Sequence, residues 1–199
     1  MRQRLIEAAT ECLRRVGYAA TTTQLVMEAA GVSRGAMLHH FPTKVDLIIA
    51  VGEAAALHQN RYVRHRLAEF APGMDRYLAL TRATWEAICE PPALALLEIM
   101  MASRSDPALG ERFPAIMDRL EAEQREGVWA LARELGVQDR DAIDRMVRLH
   151  IGAMRGLAIQ VMFTDEREPA EASIELLDHY TRELTGNLLT SSGPTFFKS

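Results

Sequence analysis

Arg34, Gly35, Leu38 and His39 are spaced so that they share one face if this stretch forms a helix. Arginine commonly contacts guanine edges and phosphates, and glycine lets a backbone approach a partner closely. The first 50 residues carry six basic and four acidic side chains, a net charge of +2 within a chain of net charge -4. This face and this local positive charge predict contact with a polyanion such as DNA.

Two short helices must present that face, and the sequence marks their ends. Gly17 ends a first helix, and the run Thr21-Thr22-Thr23 supplies N-cap hydroxyls for a second helix. Gly31 allows a tight turn, and Ser33 caps a third helix that reaches about His40. Two short helices joined by a glycine turn are typical of a helix-turn-helix unit, whose second helix can enter the DNA major groove.

A longer helix follows this unit. Pro42 closes the third helix, and Thr43 caps a fourth helix that extends to about Phe70. The core behind the two short helices is predicted to consist of Val26, Ala30, Val32, Met37 and Phe41.

The segment from Gly17 to Leu47, GYAATTTQLVMEAAGVSRGAMLHHFPTKVDL, resembles the N-terminal domain of the TetR family of one-component transcriptional regulators. With the first helix included, the resemblance covers about a quarter of the chain. The matching elements are Gly17-Tyr18, Thr22-Thr23, Ala30-Gly31-Val32-Ser33, Gly35, His40-Phe41 and Lys44-Asp46-Leu47.

The resemblance implies a role for each matching position. Thr22 or Thr23, His40 and Lys44 would contact phosphates, and the residues nearest the base edges would be Gln24, Arg34, Gly35, Ala36 and His39. The side-chain chemistry agrees, because arginine pairs bidentately with guanine and glutamine with adenine. The predicted DNA-contacting residues are Thr22, Thr23, Gln24, Ser33, Arg34, Gly35, Ala36, Leu38, His39, His40 and Lys44.

Two positions depart from the family pattern. Leu38 stands where the family usually has a tyrosine that reaches the DNA backbone, so that hydroxyl contact is missing. Leu38 can instead touch a thymine methyl group, or His39 can supply the lost hydrogen bond. Met27 stands where a small alanine is usual, which changes the packing of the short helices.

The remainder of the chain also has helical periodicity, which predicts an all-α protein. We expect an N-terminal three-helix helix-turn-helix domain over 1–48, a larger C-terminal helical domain over 49–190, and a disordered tail over 191–199. The resemblance implies that the larger domain binds a ligand and forms a dimer. The predicted helices beyond residue 70 are 74–89, 92–103, 107–135, 139–164 and 168–188.

The helices over about 139–164 and 168–188 are the predicted homodimer interface. The first of them is apolar around most of its girth, and Gly152 and Gly156 would let another helix approach closely. Two helices from each subunit would then form a four-helix interface, as in the family. The same pattern also fits a core within one subunit.

A small, mostly apolar effector is the predicted ligand of the larger domain. Methionine and aromatic side chains can line an adaptable pocket, and scattered polar residues can anchor a ligand, although such residues more often simply pack. The candidate ligand-binding residues are His58, Arg61, His65, Trp85, Glu86, Met100, Met101, Phe113, Met117, Trp129, His150, Met154 and Arg155.

Several other classes of protein are not supported by the sequence. The six histidines form no metal-ligand spacing, and neither a cofactor motif nor a catalytic constellation is recognisable. The sequence contains no apolar run of membrane-spanning length, and its polar start does not fit a signal peptide. Cys12 and Cys89 form no disulfide framework, and Cys12 is expected to be a small buried apolar residue. We therefore expect a cytoplasmic protein.

These observations favour a homodimeric, ligand-responsive DNA-binding regulator. It would act as a repressor on a palindromic operator and would be released by its effector. An all-helical enzyme or a small-molecule carrier without a DNA role is one alternative, and a dimerisation module without a ligand is another.

Overall fold

The computed structural model describes residues 1–164 and 167–190. Over these residues the chain forms helices and no β-strand, which confirms the predicted all-α fold. The helices within the described residues are α1 (Arg2–Ala20), α2 (Thr23–Ala30), α3 (Arg34–His40), α4 (Lys44–Leu67), α5 (Met74–Ile88), α6 (Pro91–Ala102), α7 (Pro107–Glu134), α8 (Arg140–Thr164) and α9 (Arg167–Thr190).

The residues group into two compact units. The first unit contains residues 1–60 and 89–120, and the second contains residues 61–88 and the described residues from 121 onward. The chain of α4 and that of α7 each contribute to both units. The predicted domain boundaries, 1–48 and 49–190, differ from these units and remain a prediction. The predicted tail over 191–199 lies outside the described residues.

Capping side chains fix the ends of the short helices where the sequence predicts them. The hydroxyl of Thr22 accepts a hydrogen bond from the N–H of Leu25 at the start of α2 (3.1 Å). At the start of α3, the hydroxyl of Ser33 accepts a hydrogen bond from the N–H of Ala36 (3.3 Å). Gly17 interrupts α1 with a φ of +72°, a conformation that glycine adopts without a steric penalty. The two predicted caps are confirmed, whereas the first helix does not end at Gly17: α1 is interrupted there and continues to Ala20.

A capping box begins α4. The N–H of Asp46 donates to Thr43 Oγ1 (3.1 Å), and the N–H of Thr43 donates to Asp46 Oδ2 (3.0 Å). Arg112 also donates to the carboxylate of Asp46 (2.9 Å). The hydrogen bonds from Thr43, followed by that from Arg112, hold the pKa of Asp46 below its usual value.

Each unit has its own apolar core. In the first unit, α1 packs against α2 and α6 around fully buried side chains such as Leu5, Leu13 and Phe113. In the second unit, α5 packs against α8 and α9. Cys12 is buried in the first core, as predicted. Within the described residues, no helix is long and apolar enough to cross a membrane.

Gly52 lies at a close contact between α4 and α7 in the core of the first unit. A Cβ atom at this position would lie 2.5 Å from Cε2 of Phe113, far inside van der Waals contact. The ring of Phe113 is 1% exposed and lies in a close-packed core, so its displacement would disturb other buried side chains. The core thus requires glycine at this position of α4.

We expect Gly52→Ala to lower the free energy of unfolding by about 1–3 kcal/mol, because the added methyl group overpacks the core. Gly127→Ala is the matched control, since no heavy atom lies within 4 Å of the Cβ position there. Because alanine has a better helix propensity than glycine, Gly127→Ala is expected to raise the free energy of unfolding by up to about 1 kcal/mol. Urea denaturation at one fixed protein concentration measures both variants. Equal stability of the two variants would contradict this account of the core.

Candidate functional site

The seven-residue helix α3 has one buried face and one exposed face. Met37 is 2% exposed and Phe41 is 3% exposed, and both pack into the core of the first unit with Val26 and Ala30. Arg34, Gly35, Leu38 and His39 are exposed. The face that the sequence predicts to read DNA therefore faces solvent.

The turn before α3 is closed by backbone hydrogen bonds and by α1. Gly31 has a φ of +60°, and the N–H of Val32 donates to the carbonyl of Met27 (3.1 Å). Nη2 of Arg4 donates to the carbonyl of Ala30 (2.6 Å). Arg4 thus fixes the end of α2 from a neighbouring helix, a role that its type and position alone do not reveal.

The other predicted DNA-contacting residues are also accessible, and none of them is buried. Gln24 donates to Glu28 within α2 (3.0 Å), and the rings of His39 and His40 meet edge to face at a centroid distance of 5.1 Å. Exposed or half-buried positions are occupied by Thr22, Thr23, Gln24, Ser33, Ala36, His40 and Lys44. Their contacts with DNA remain predictions.

Lys44 is held by Tyr18. Its Nζ atom donates to the carbonyl of Tyr18 (2.9 Å) and lies 4.0 Å from the centroid of the tyrosine ring. The hydroxyl of Tyr18 donates to the carboxylate of Asp106. Burial lowers the pKa of Lys44 and the nearby Asp106 carboxylate opposes this shift. Tyr18 belongs to the motif found in the sequence. Asp106 lies far along the chain, and its contact with Tyr18 was not predicted.

The predicted ligand-binding residues fall in both units. His58, Met100, Met101, Phe113 and Met117 belong to the first unit, and Met101 is 58% exposed. The remaining residues belong to the second unit: Arg61, His65, Trp85, Glu86, Trp129, His150, Met154 and Arg155.

His150 and Met154 line a small cavity in the second unit, of about 40 Å³. The hydroxyl of Thr181 lies 3.3 Å from Nε2 of His150 and 3.3 Å from the hydroxyl of Thr81. The candidate ligand-binding residues include no other member of this wall, although Tyr77 and Thr81, and Met146 and His150, have the four-residue spacing of a shared helix face. The lining residues are Tyr77, Leu80, Thr81, Thr84, Gln124, Val128, Met146, Val147, His150, Ile151, Met154 and Thr181.

Two other predicted ligand-binding residues in the second unit bond to neighbouring side chains. Trp85 donates to Glu171 (3.0 Å), and Arg155 donates to Glu121 (2.9 Å). A larger surface cleft of about 420 Å³ contains none of the predicted ligand-binding residues. Its three arginines each pair with a carboxylate, so it presents balanced charge: Arg66, Arg82 and Arg182.

The helices predicted to form a dimer carry two apolar faces. One face is buried in the second unit and includes Ile143, Met154 and Ile174, so the alternative of a core within one subunit is correct for those residues. The second face is exposed, and a Cβ atom at Gly152 or Gly156 would meet no heavy atom within 4 Å. Large apolar side chains are exposed on these two helices at Leu149, Met162, Phe163, Leu176, Tyr180 and Leu189.

No group of three or more histidine, cysteine, aspartate or glutamate side chains in the described parts of the chain could hold a metal ion.

Known proteins resemble this chain along most of its length. The sequence model described as "Bacterial regulatory proteins, tetR family" matches residues 5–51. The transcriptional regulator CymR of Pseudomonas putida is 32% identical over 168 residues, which cover 84% of this chain and 82% of CymR. The transcriptional repressor AcnR of Corynebacterium glutamicum is 32% identical over 111 residues, which cover 53% of this chain and 52% of AcnR.

The fold is also found in a solved structure. The multidrug binding protein EbrR, in complex with imidazole, is 27% identical and superposes with a TM-score of 0.63. The superposition covers 98% of this chain and 97% of EbrR.

Proposed function

The chain belongs to the tetR family of bacterial regulatory proteins and is a DNA-binding transcriptional regulator, and from this premise we propose that it represses transcription as a homodimer on a palindromic operator. The exposed face of α3 carries this proposal, because Arg34 and His39 lie outward while Met37 anchors the helix from behind. The two copies of α3 enter successive major grooves, roughly 34 Å apart or a multiple of that distance. Since its partner is chromosomal DNA, the protein acts in the cytoplasm.

The dimer forms through the exposed apolar face of α8 and α9. Phe163 is 84% exposed and Leu149 is 67% exposed, which is unusual for side chains of this size in a monomer. The glycines at 152 and 156 let a helix of the second subunit approach this face. Burial of these side chains in a symmetric contact removes them from water.

A small effector binds in the second unit at the cavity beside His150. The wall is mostly apolar, and the hydroxyls of Thr81 and Thr181 can orient a polar group of the effector. The cavity of about 40 Å³ must widen to admit such a molecule, so binding favours an altered packing of the second unit. Helices α4 and α7 each contribute residues to both units, and through them this change reaches the first unit, which contains α3.

Selection of genomic fragments tests this function. Purified protein is mixed with sheared DNA from the source genome, and bound fragments are sequenced with and without candidate effectors. We expect a palindromic consensus whose binding is lost on addition of one compound. No enrichment above background, even at low salt, would favour an all-helical enzyme, a carrier or a dimerisation module without a ligand.

Arg34→Ala is expected to relax base preference at one position of each half-site, with a loss of about 1–3 kcal/mol against the preferred base. Arg133→Ala removes the same charge from an exposed position at the end of α7 and serves as the control. Fluorescence anisotropy on operator duplexes that differ at single positions measures the preference. An equal loss on every duplex would make Arg34 a phosphate contact instead.

Gly152→Leu and Gly156→Leu are expected to convert the dimer into monomers, because each adds a branched side chain where the partner helix approaches. Gly127→Leu, on α7, is the control, since its Cβ position is also open but lies outside the proposed interface. Light scattering gives the mass of each variant. A dimer that persists in both α8 variants would exclude this interface.

A further inference from the structure

We propose that Asp106 and Tyr18 are positioning residues for DNA binding: they hold the ammonium group of Lys44 in the orientation in which it meets a phosphate. The inference rests on the proposed function, in which α3 and the start of α4 contact DNA. Lys44, Tyr18 and Asp106 all belong to the first unit.

The placement of Tyr18 follows from its neighbours on either side. Gly17 turns the chain with a φ of +72°, which allows the N–H of Tyr18 to donate to Oε2 of Glu98 (3.3 Å). At its other end, the tyrosine hydroxyl donates to Asp106. The ring is thus fixed by its backbone and by its hydroxyl.

Asp106 is itself held rigidly. Its Oδ1 atom accepts hydrogen bonds from the N–H groups of Ala108 (3.0 Å) and Leu109 (3.1 Å), so the carboxylate caps α7. The hydrogen bond from Tyr18, the largest influence, and those from Leu109 and Ala108 lower the pKa of Asp106. The carboxylate therefore stays charged at neutral pH and fixes the tyrosine hydroxyl from the start of α7.

The fixed ring and carbonyl of Tyr18 then define where Lys44 can point. An ammonium group has three N–H donors. One is taken by the carbonyl of Tyr18 (2.9 Å), and the ring lies 4.0 Å away from the same nitrogen. A donor remains for a phosphate oxygen, and the side chain reaches it without first losing rotamer freedom. A lysine held in this way binds a phosphate more tightly than a freely moving one.

Three variants test this arrangement on the operator fragment enriched from the genome. Tyr18→Phe keeps the ring and removes the hydroxyl, Asp106→Asn keeps a side chain that caps α7 and removes the charge, and Lys44→Gln removes the ammonium group. We expect Tyr18→Phe and Asp106→Asn each to weaken binding about fivefold. For Lys44→Gln, we expect the slope of log Kd against log salt concentration to fall by about one.

Asp118→Asn is the charge-matched control, since Asp118 is an exposed residue of α7. Loss of a negative charge there favours DNA binding or leaves it unchanged. Asp106→Asn removes the same charge and is expected to act in the opposite direction. A gain in affinity of the same size in both variants would overturn the inference.

Combination with Lys44→Gln separates positioning from a general structural effect. If Tyr18 acts through Lys44, Tyr18→Phe adds no further loss of affinity when glutamine occupies position 44. An equal loss in both backgrounds would overturn the inference, as would unchanged affinity of Tyr18→Phe or Lys44→Gln. If wild-type protein binds no genomic fragment, the proposed function itself fails, whereas each of the other adverse results leaves that function intact.

Discussion

The short third helix depends on the core behind it. A seven-residue helix is too short to be stable alone in water, so its shape must be imposed by tertiary contacts. Met37 and Phe41 supply those contacts on one side, and the cap at Ser33 satisfies a backbone donor at the start. The turn at Gly31 and the hydrogen bond from Arg4 to the carbonyl of Ala30 fix the end of α2 directly before this helix.

The same principle governs α8, where one helix has to satisfy two environments. Its inner side packs Ile143 and Met154 into the second unit, and its outer side leaves Leu149 and Phe163 in water. A helix that is apolar around most of its girth is typically buried by neighbours on several sides. The inner face accounts for the fold of one chain, and the outer face accounts for the proposed partnership with a second.

Local chemistry explains why the ends of the short helices were predictable and the lining of the cavity beside His150 was not. The caps at Thr22, Ser33 and Thr43 act within four residues, so their positions can be read directly from the sequence. Residue type indicates which side chains could contact a ligand, whereas the side chains that line a cavity are set by which helix faces meet. The bond between Tyr18 and Asp106 likewise depends on tertiary packing, which no local pattern encodes.

The division of α3 into an anchored side and an outward side has an evolutionary consequence. Leu38 or His39 can be exchanged while Met37 continues to secure the fold. Change on the exposed side is thereby separated from the risk of misfolding.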